Sequence, residues 1–218
     1  MQITILTLFP DSLKPYFASS ILGRAEKKGL VQIRLVNIRN YATDTHKTVD
    51  DRPYGGGAGM ILKVDIVHKA IEANRLKNRL KQMDFREKVI LTDPTGKIFR
   101  QSTARRFSRL DHLMIVAGHY EGIDERIRNF IDETVSIGRY ILTGGELPAM
   151  VIADSAVRLL PKVLKKEEAS KNESYSLKNI MEAPQYTRPP EYLGFKVPEI
   201  LKSGNHHKIE AWKKTHPK

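Results

Sequence analysis

Two short glycine-bearing segments carry the residue types best suited to holding a reactive ligand in this chain. Ser136-Ile-Gly-Arg-Tyr-Ile-Leu-Thr-Gly-Gly-Glu-Leu-Pro148 packs three glycines into an apolar stretch and then opens a helix-like run. Ala117-Gly-His-Tyr-Glu-Gly-Ile-Asp-Glu125 follows the apolar strand candidate His112–Ala117 and has the same character. Loops so poor in side chains let backbone N–H and C=O groups approach a ligand closely. One such segment alone reads most simply as an ordinary connection between elements. Two of them, after two buried strands, predict one ligand site built largely from backbone. The common nucleotide cradles are excluded. Neither segment has the GxGxxG spacing of a dinucleotide fingerprint, and no GxxxxGK[ST] occurs anywhere. The densest glycine run, Gly55-Gly-Gly-Ala-Gly59, fits neither template.

Composition narrows the chemistry further. The 218 residues include no cysteine, so disulfides and thiolate metal sites are excluded. Seven histidines are present, none in HExxH or a comparable ligand spacing, and no structural metal is expected. The formal charge of +12 favours a polyanionic partner, nucleic acid ahead of a membrane surface, because each neutralised phosphate releases counterions. No apolar run approaches the roughly 18 residues of a membrane span. The start, Met1-Gln-Ile-Thr-Ile-Leu-Thr-Leu-Phe-Pro10, lacks a basic leader region and a cleavage site, so it reads as a first strand of a cytoplasmic protein.

The elements that must position these loops alternate along the chain. Strand-like Gln2–Leu8 and Val31–Asn37 flank an amphipathic stretch around Leu13–Lys27. Helical periodicity over Val64–Met83 precedes the strand Lys88–Thr92, a turn at Asp93-Pro-Thr-Gly96, the helix Gln101–Leu110 and the strand His112–Ala117. Glu146–Leu160 reads as a further helix. This alternation predicts an α/β fold with a parallel sheet covered on both faces. Beyond Pro161 the composition turns to Lys, Glu, Ser and Asn with few apolar anchors, which is linker chemistry. The expected domains are therefore residues 1–161, a linker at 162–178, and a small helical C-terminal domain at 179–218.

Six ordered motifs make the chain similar to the bacterial tRNA (guanine-N1)-methyltransferases of the TrmD family. They are Thr7-Leu-Phe-Pro10, Thr48-Val-Asp-Asp-Arg-Pro-Tyr-Gly-Gly-Gly57, Gly118-His-Tyr-Glu-Gly-Ile-Asp-Glu-Arg126, Gly144-Gly-Glu-Leu-Pro-Ala-Met150, Gln185-Tyr-Thr-Arg-Pro189 and Ser203-Gly-Asn-His206. The resemblance implies a SPOUT-type sheet with a trefoil knot near the C-terminal part of the catalytic domain. It also implies a homodimer with active sites between subunits, and tRNA as partner. The implied reaction is methyl transfer from S-adenosylmethionine to N1 of guanosine 37, beside the anticodon. The family depends on magnesium for transfer, but no feature here identifies a dedicated site.

Carried over residue by residue, the cofactor pocket falls on Leu91 and Pro94, on Gly118, Tyr120, Glu121 and Gly122, and on Ile137, Gly138, Arg139, Tyr140, Ile141, Leu142, Gly144, Gly145 and Pro148. The general base falls on Glu173, where the family has Asp, and the cation near guanine O6 on Arg158. The tRNA contacts fall on Asp50, Arg52, Tyr54, Gly55 and Gly59, and on Glu182, Ser203, Asn205 and His206. The chain departs from the pattern at Leu91, at Asp93-Pro-Thr95 and at Ala58 as well as at Glu173. Two rival readings stand beside this one: an rRNA methyltransferase of the same fold, and a catalytically impaired RNA-binding homologue.

Overall fold

A computed structural model describes residues 1–80, 84–165, 174–175 and 181–216, without the side chains of Asn78 and Arg79. The chain divides into two compact units, Met1–Lys165 and Lys166–Lys218.

The first unit is a sheet covered on both faces. It opens with β1 (Gln2–Thr7), α1 (Pro10–Phe17), α2 (Ser20–Lys27) and β2 (Gln32–Asn37). A short hairpin arm follows, β3 (Asp50–Asp51) with β4 (Ile61–Leu62), then α3 (Val64–Asn74) and one helical turn, α4 (Lys77–Leu80). Next come β5 (Glu87–Ile98), α5 (Gln101–Phe107), β6 (His112–Ala117), β7 (Glu133–Ser136) and α6 (Glu146–Val157). The five long strands lie in the order β2-β1-β6-β5-β7, and every pairing is parallel. A parallel strand buried on both faces reads as a continuous apolar run, which is why His112–Ala117 shows no alternation.

Alternation survives in where the side chains go. Ile3, Ile5, Ile90, Leu113 and Ile115 point to the face packed by Leu13, Phe17, Phe107, Ala149, Ile152 and Ala153 from α1, α5 and α6. Their neighbours Leu6, Val89, Leu91, Met114 and Val116 point to the other face, under Ile66, Val67, Ala70 and Ile71 of α3. Each face has its own core.

Three expected elements end differently. The stretch around Leu13–Lys27 is two helices, parted where Ser20 takes φ +49°. The helix expected over Val64–Met83 stops at Asn74, and residues 81–83 lie outside the described ones. Its end is held from outside: the Asn74 side chain donates to the Tyr41 hydroxyl at 2.6 Å, and Glu87 Oε2 accepts from Leu76 N at 2.7 Å. The turn at Asp93–Gly96 lies within β5 as a bulge, so Thr92 and Lys97 both pair with Val135. Asp93 Oδ1 closes it by accepting from Thr95 N at 2.7 Å.

The second unit contributes a small hairpin, β8 (Glu191–Tyr192) with β9 (Phe195–Lys196), and two helices, α7 (Glu199–Lys202) and α8 (His206–Thr215). Asn205 caps α8 by accepting from Lys208 N at 3.1 Å. Among the described residues no helix is long and apolar enough to cross a membrane.

A buried polar cluster sits at the end of the sheet where the strands begin. Glu87 Oε2 lies 2.7 Å from His112 Nδ1, His112 Nε2 lies 2.9 Å from Thr4 Oγ1, and Arg75 stands 3.6 Å from Glu87. Burial alone would push the Glu87 carboxyl up, but His112 and the N–H groups of Leu76 and Lys77 together hold it below its ordinary value. A depressed folded value means stability that is present above the unfolded value and lost as pH falls through the folded one. Glu87→Gln is therefore expected to cost about 1–3 kcal/mol in urea unfolding at neutral pH. Its deficit against wild type should shrink as the solution is acidified past the ordinary glutamate range.

Candidate functional site

The loops that leave β5, β6 and β7 meet at the carboxyl ends of those strands. In this strand order β6 is inserted between β1 and β5, with β7 on the far side of β5. A change of direction of this kind leaves a crevice at the strand ends, the usual ligand position in open parallel sheets. The crevice here is a cavity of roughly 360 Å³.

Its lining is mostly backbone and apolar surface. Leu91 and Pro94 come from the β5 bulge, and Gly118, Tyr120, Glu121 and Gly122 from the loop after β6. Ile137, Gly138, Tyr140, Ile141, Leu142, Gly144, Gly145 and Pro148 come from the long loop after β7 and the head of α6. Arg139 is the expected cofactor residue that does not line the cavity; it is exposed beside it. Thr92, Asp93, Thr95, His119, Ser136 and Thr143 also line the cavity, on or beside the same three loops although not among the individual residues carried over. His119, Ser136 and Thr143 lie inside the two glycine-bearing segments, so adjacency was the available signal for those three.

The loops after β6 and β7 touch through backbone. Gly145 N donates to Gly118 O at 2.7 Å, and His119 pairs with Gly144 in an antiparallel bridge. A Cβ at Gly145 would stand 2.7 Å from Gly118 N and 2.8 Å from Ala117 Cα, distances that real side chains do not occupy. Glycine is required there by closeness. The bulge is held from the other side, where Arg128 donates to Thr95 Oγ1 at 3.2 Å and to Thr134 Oγ1 at 2.9 Å.

The hairpin arm is fastened to the loop after β6. Leu62 N donates to Gly122 O at 3.0 Å, Glu121 N to Met60 O at 3.1 Å, and Asp124 N to Leu62 O at 3.0 Å. Asp50 sits in β3, while Arg52 and Tyr54 stand exposed on the loop that ends at Gly59. Tyr54 is fully solvent-exposed, and Gly55 and Gly59 both take positive φ. Gly59 lies directly against the Glu121 side chain, so the arm and the cavity share a border.

Arg158 caps α6 at its C-terminal end and is half-buried, its N–H bonded to Asp154 O at 3.0 Å. One turn earlier, Asp154 accepts a short hydrogen bond from the Tyr16 hydroxyl. That bond is the main reason the phenol is pushed up to about 12. Glu173 lies outside the described residues. In the second unit, Glu182 N donates to Ser174 Oγ at 2.9 Å. Ser203 Oγ bonds Ile200 O at 2.7 Å at the end of α7, and His206 is exposed in the first turn of α8. Ser203 and Asn205 thus carry helix-end roles whatever else they meet.

Known proteins match the chain from end to end. The family model described as tRNA (Guanine-1)-methyltransferase TrmD covers residues 1–218. A Carboxydothermus hydrogenoformans protein named tRNA (guanine-N(1)-)-methyltransferase is 49% identical over 215 residues, spanning 98% of this chain and 81% of that protein. The Bacillus subtilis protein of the same name is 49% identical over 214 residues, spanning 98% of this chain and 86% of that protein. The one from Dictyoglomus turgidum is 46% identical over 214 residues, with 98% and 84% covered.

The closeness at Gly145 gives a direct test. Gly145→Ala should lower stability by about 1–3 kcal/mol, the usual range for overpacking. Gly122→Ala, which has no heavy atom within 4 Å of its new Cβ but carries φ +123°, should cost about 1 kcal/mol from backbone strain alone. Urea unfolding of both variants measures the difference.

Proposed function

The chain belongs to the tRNA (guanine-1)-methyltransferase family, TrmD, and we propose on that premise that it methylates N1 of guanosine 37 of tRNA, beside the anticodon. Its class, a tRNA (guanine-N1)-methyltransferase, follows from near full-length identity to proteins of that name. The observation that carries the site assignment is the side-chain-poor cavity where the loops after β5, β6 and β7 converge.

S-adenosylmethionine fits this cavity chemically. It would supply an electrophilic methyl from a cationic sulfur, whose C–S bond would break to leave a neutral thioether. Backbone groups of Ile137, Gly138, Tyr140 and Leu142 can bond an adenine and ribose, and Leu91 and Ile141 offer apolar cover. The carboxylates of Asp93 and Glu121 border the space and suit a ligand carrying positive charge.

The chain's own residues handle the proton and the developing charge. Guanine N1 bears a proton at neutral pH, so a base must accept it as N1 bonds to the methyl carbon. Glu173 takes that role by its place in the family motif, with its carboxylate receiving the proton. Arg158 donates to O6, where negative charge gathers on the ring. The arm with Asp50, Arg52, Tyr54, Gly55 and Gly59 holds the flipped base at the border shared with Glu121. Glu182, Ser203, Asn205 and His206 belong to the tRNA surface.

The wider family picture is part of the same proposal. A trefoil knot is supported by the crossing of the third loop over the end of β6 at Gly145. A homodimer with a shared site is supported by α6, which is apolar nearly all round yet leaves Leu147 and Val151 exposed. Residues 179–218 serve as a C-terminal tRNA-binding domain, after a linker at 162–178. Magnesium assists the transfer step; among the described residues no group of three His, Asp or Glu side chains forms a site for it. The enzyme works in the cytoplasm.

Labelled S-adenosylmethionine with tRNA transcripts tests this reading. The wild-type chain should methylate a transcript with guanosine at position 37 and spare one with adenosine there. Glu173→Gln should slow single-turnover transfer by about 100-fold or more, with cofactor affinity unchanged by calorimetry. Mixing an Arg158→Ala chain with a Gly145→Ala chain should restore activity through heterodimers that keep one intact site. Mixtures no more active than either variant, with subunit exchange demonstrated, would remove the shared-site part of the proposal.

A further inference from the structure

Three separate sequence motifs converge on one polar cluster behind the cavity. Thr7, at the end of β1, donates to Glu146 Oε1 at 2.7 Å, and its hydroxyl oxygen accepts from Phe9 N at 3.0 Å. Glu146 opens α6 and is largely buried, with 14% of its side chain exposed. Its other oxygen, Oε2, faces His119 Nδ1 at 3.7 Å. His119 lines the cavity, and its Nδ1 is buried with no hydrogen-bond partner among the described residues.

The ring is otherwise well held. Phe9 packs on it at 4.7 Å between centroids and Tyr120 at 5.0 Å. The backbone of His119 is bridged to Gly144, whose bare side is where His119 Nδ1 and Glu146 Oε2 approach each other. A Cβ at Gly144 would come within 2.6 Å of Nδ1, so a glycine leaves this gap open. At 3.7 Å the pair is beyond hydrogen-bond range by roughly half an ångström or more. A buried unpaired nitrogen is costly, and a carboxylate one small rotation away is the nearest remedy.

We propose that His119 is a positioning residue for S-adenosylmethionine: when the cavity fills, its Nδ1–H closes onto Glu146 Oε2. The hydrogen bond latches the loop after β6 to the head of α6, and through Glu146 and Thr7 to β1. The neutral imidazole tautomer with its proton on Nδ1 suffices, and no proton is exchanged. The latch fixes the two loops that supply most of the cavity wall, so it acts on cofactor affinity through them. This inference rests on the assignment of the cavity to S-adenosylmethionine.

Calorimetric titration of the full chain with S-adenosylmethionine, in wild type and variants, tests it. An asparagine amide nitrogen stands as many bonds from Cβ as Nδ1 does, and a glutamine amide nitrogen as many as Nε2. His119→Asn should therefore bind within about threefold of wild type, while His119→Gln and His119→Ala each lose about tenfold or more. Glu146→Ala should add little further loss in the His119→Ala background, as expected of partners in one bond. Equal affinity across the His119 series overturns the latch, as does Gln binding like wild type while Asn fails. A role in packing alone would show as an equal drop in the ligand-free melting temperature of all three variants without this order of affinities, and that too overturns it. A folded wild type that does not bind S-adenosylmethionine overturns instead the assignment of the cavity.

Discussion

Everything at the ligand end of this protein depends on one backbone contact, the 2.7 Å hydrogen bond from Gly145 N to Gly118 O. It joins the start of α6 to the end of β6 with no side chain between them, so the loop after β7 must return across the sheet edge to make it. At that contact the backbones of Ala117, Gly118 and Gly145 and the hydroxyl of Thr92 fill a single close-packed cluster. The cavity is the space left outside it. A larger residue at 145 would separate the loops, and the cavity wall would lose its third side.

The same strands carry polar clusters at opposite ends, and each leaves one buried side-chain atom without a hydrogen bond among the described residues, Glu87 Oε1 where the strands begin and His119 Nδ1 where they end. Where the strands begin, Glu87, His112, Thr4 and Arg75 form a buried chain whose charges face one another. It stops α3 through Leu76 N and ties that helix to the sheet. Where the strands end, Thr7 and Glu146 are bonded but His119 Nδ1 is left short of its neighbour. The His119 cluster is the one beside the cavity.

The hairpin arm extends this logic outward. Its three backbone bonds to Gly122, Glu121 and Asp124 make it a neighbour of the loop after β6 rather than an independent flap. Gly59 is brought to the border of the cavity by that fastening, although nearly 60 residues separate it from Gly118 along the chain. Tyr54 is carried out into solvent on the same loop. Anything held by the arm would thus meet the loops that line the cavity along a fixed edge.

Much of this was written in the sequence because it is local. The β6 run His112–Ala117 shows a doubly buried strand, and the glycines after it and after β7 show where backbone must come close to something. The order of motifs is specific enough to identify the family. Other features needed distant partners. Nothing within Val64–Met83 announces a stop at Asn74; Tyr41 and Glu87 supply it from other elements. His119 and Glu146 each sit in a motif that local reading explains through glycines alone. Their meeting with Thr7 spans 139 residues. Spacing along a chain fixes which atoms a residue presents, by its helix or strand period. Which atoms it faces is fixed only when the parallel sheet sets its strand order, because that order, and not separation in sequence, decides which loop ends share a crevice.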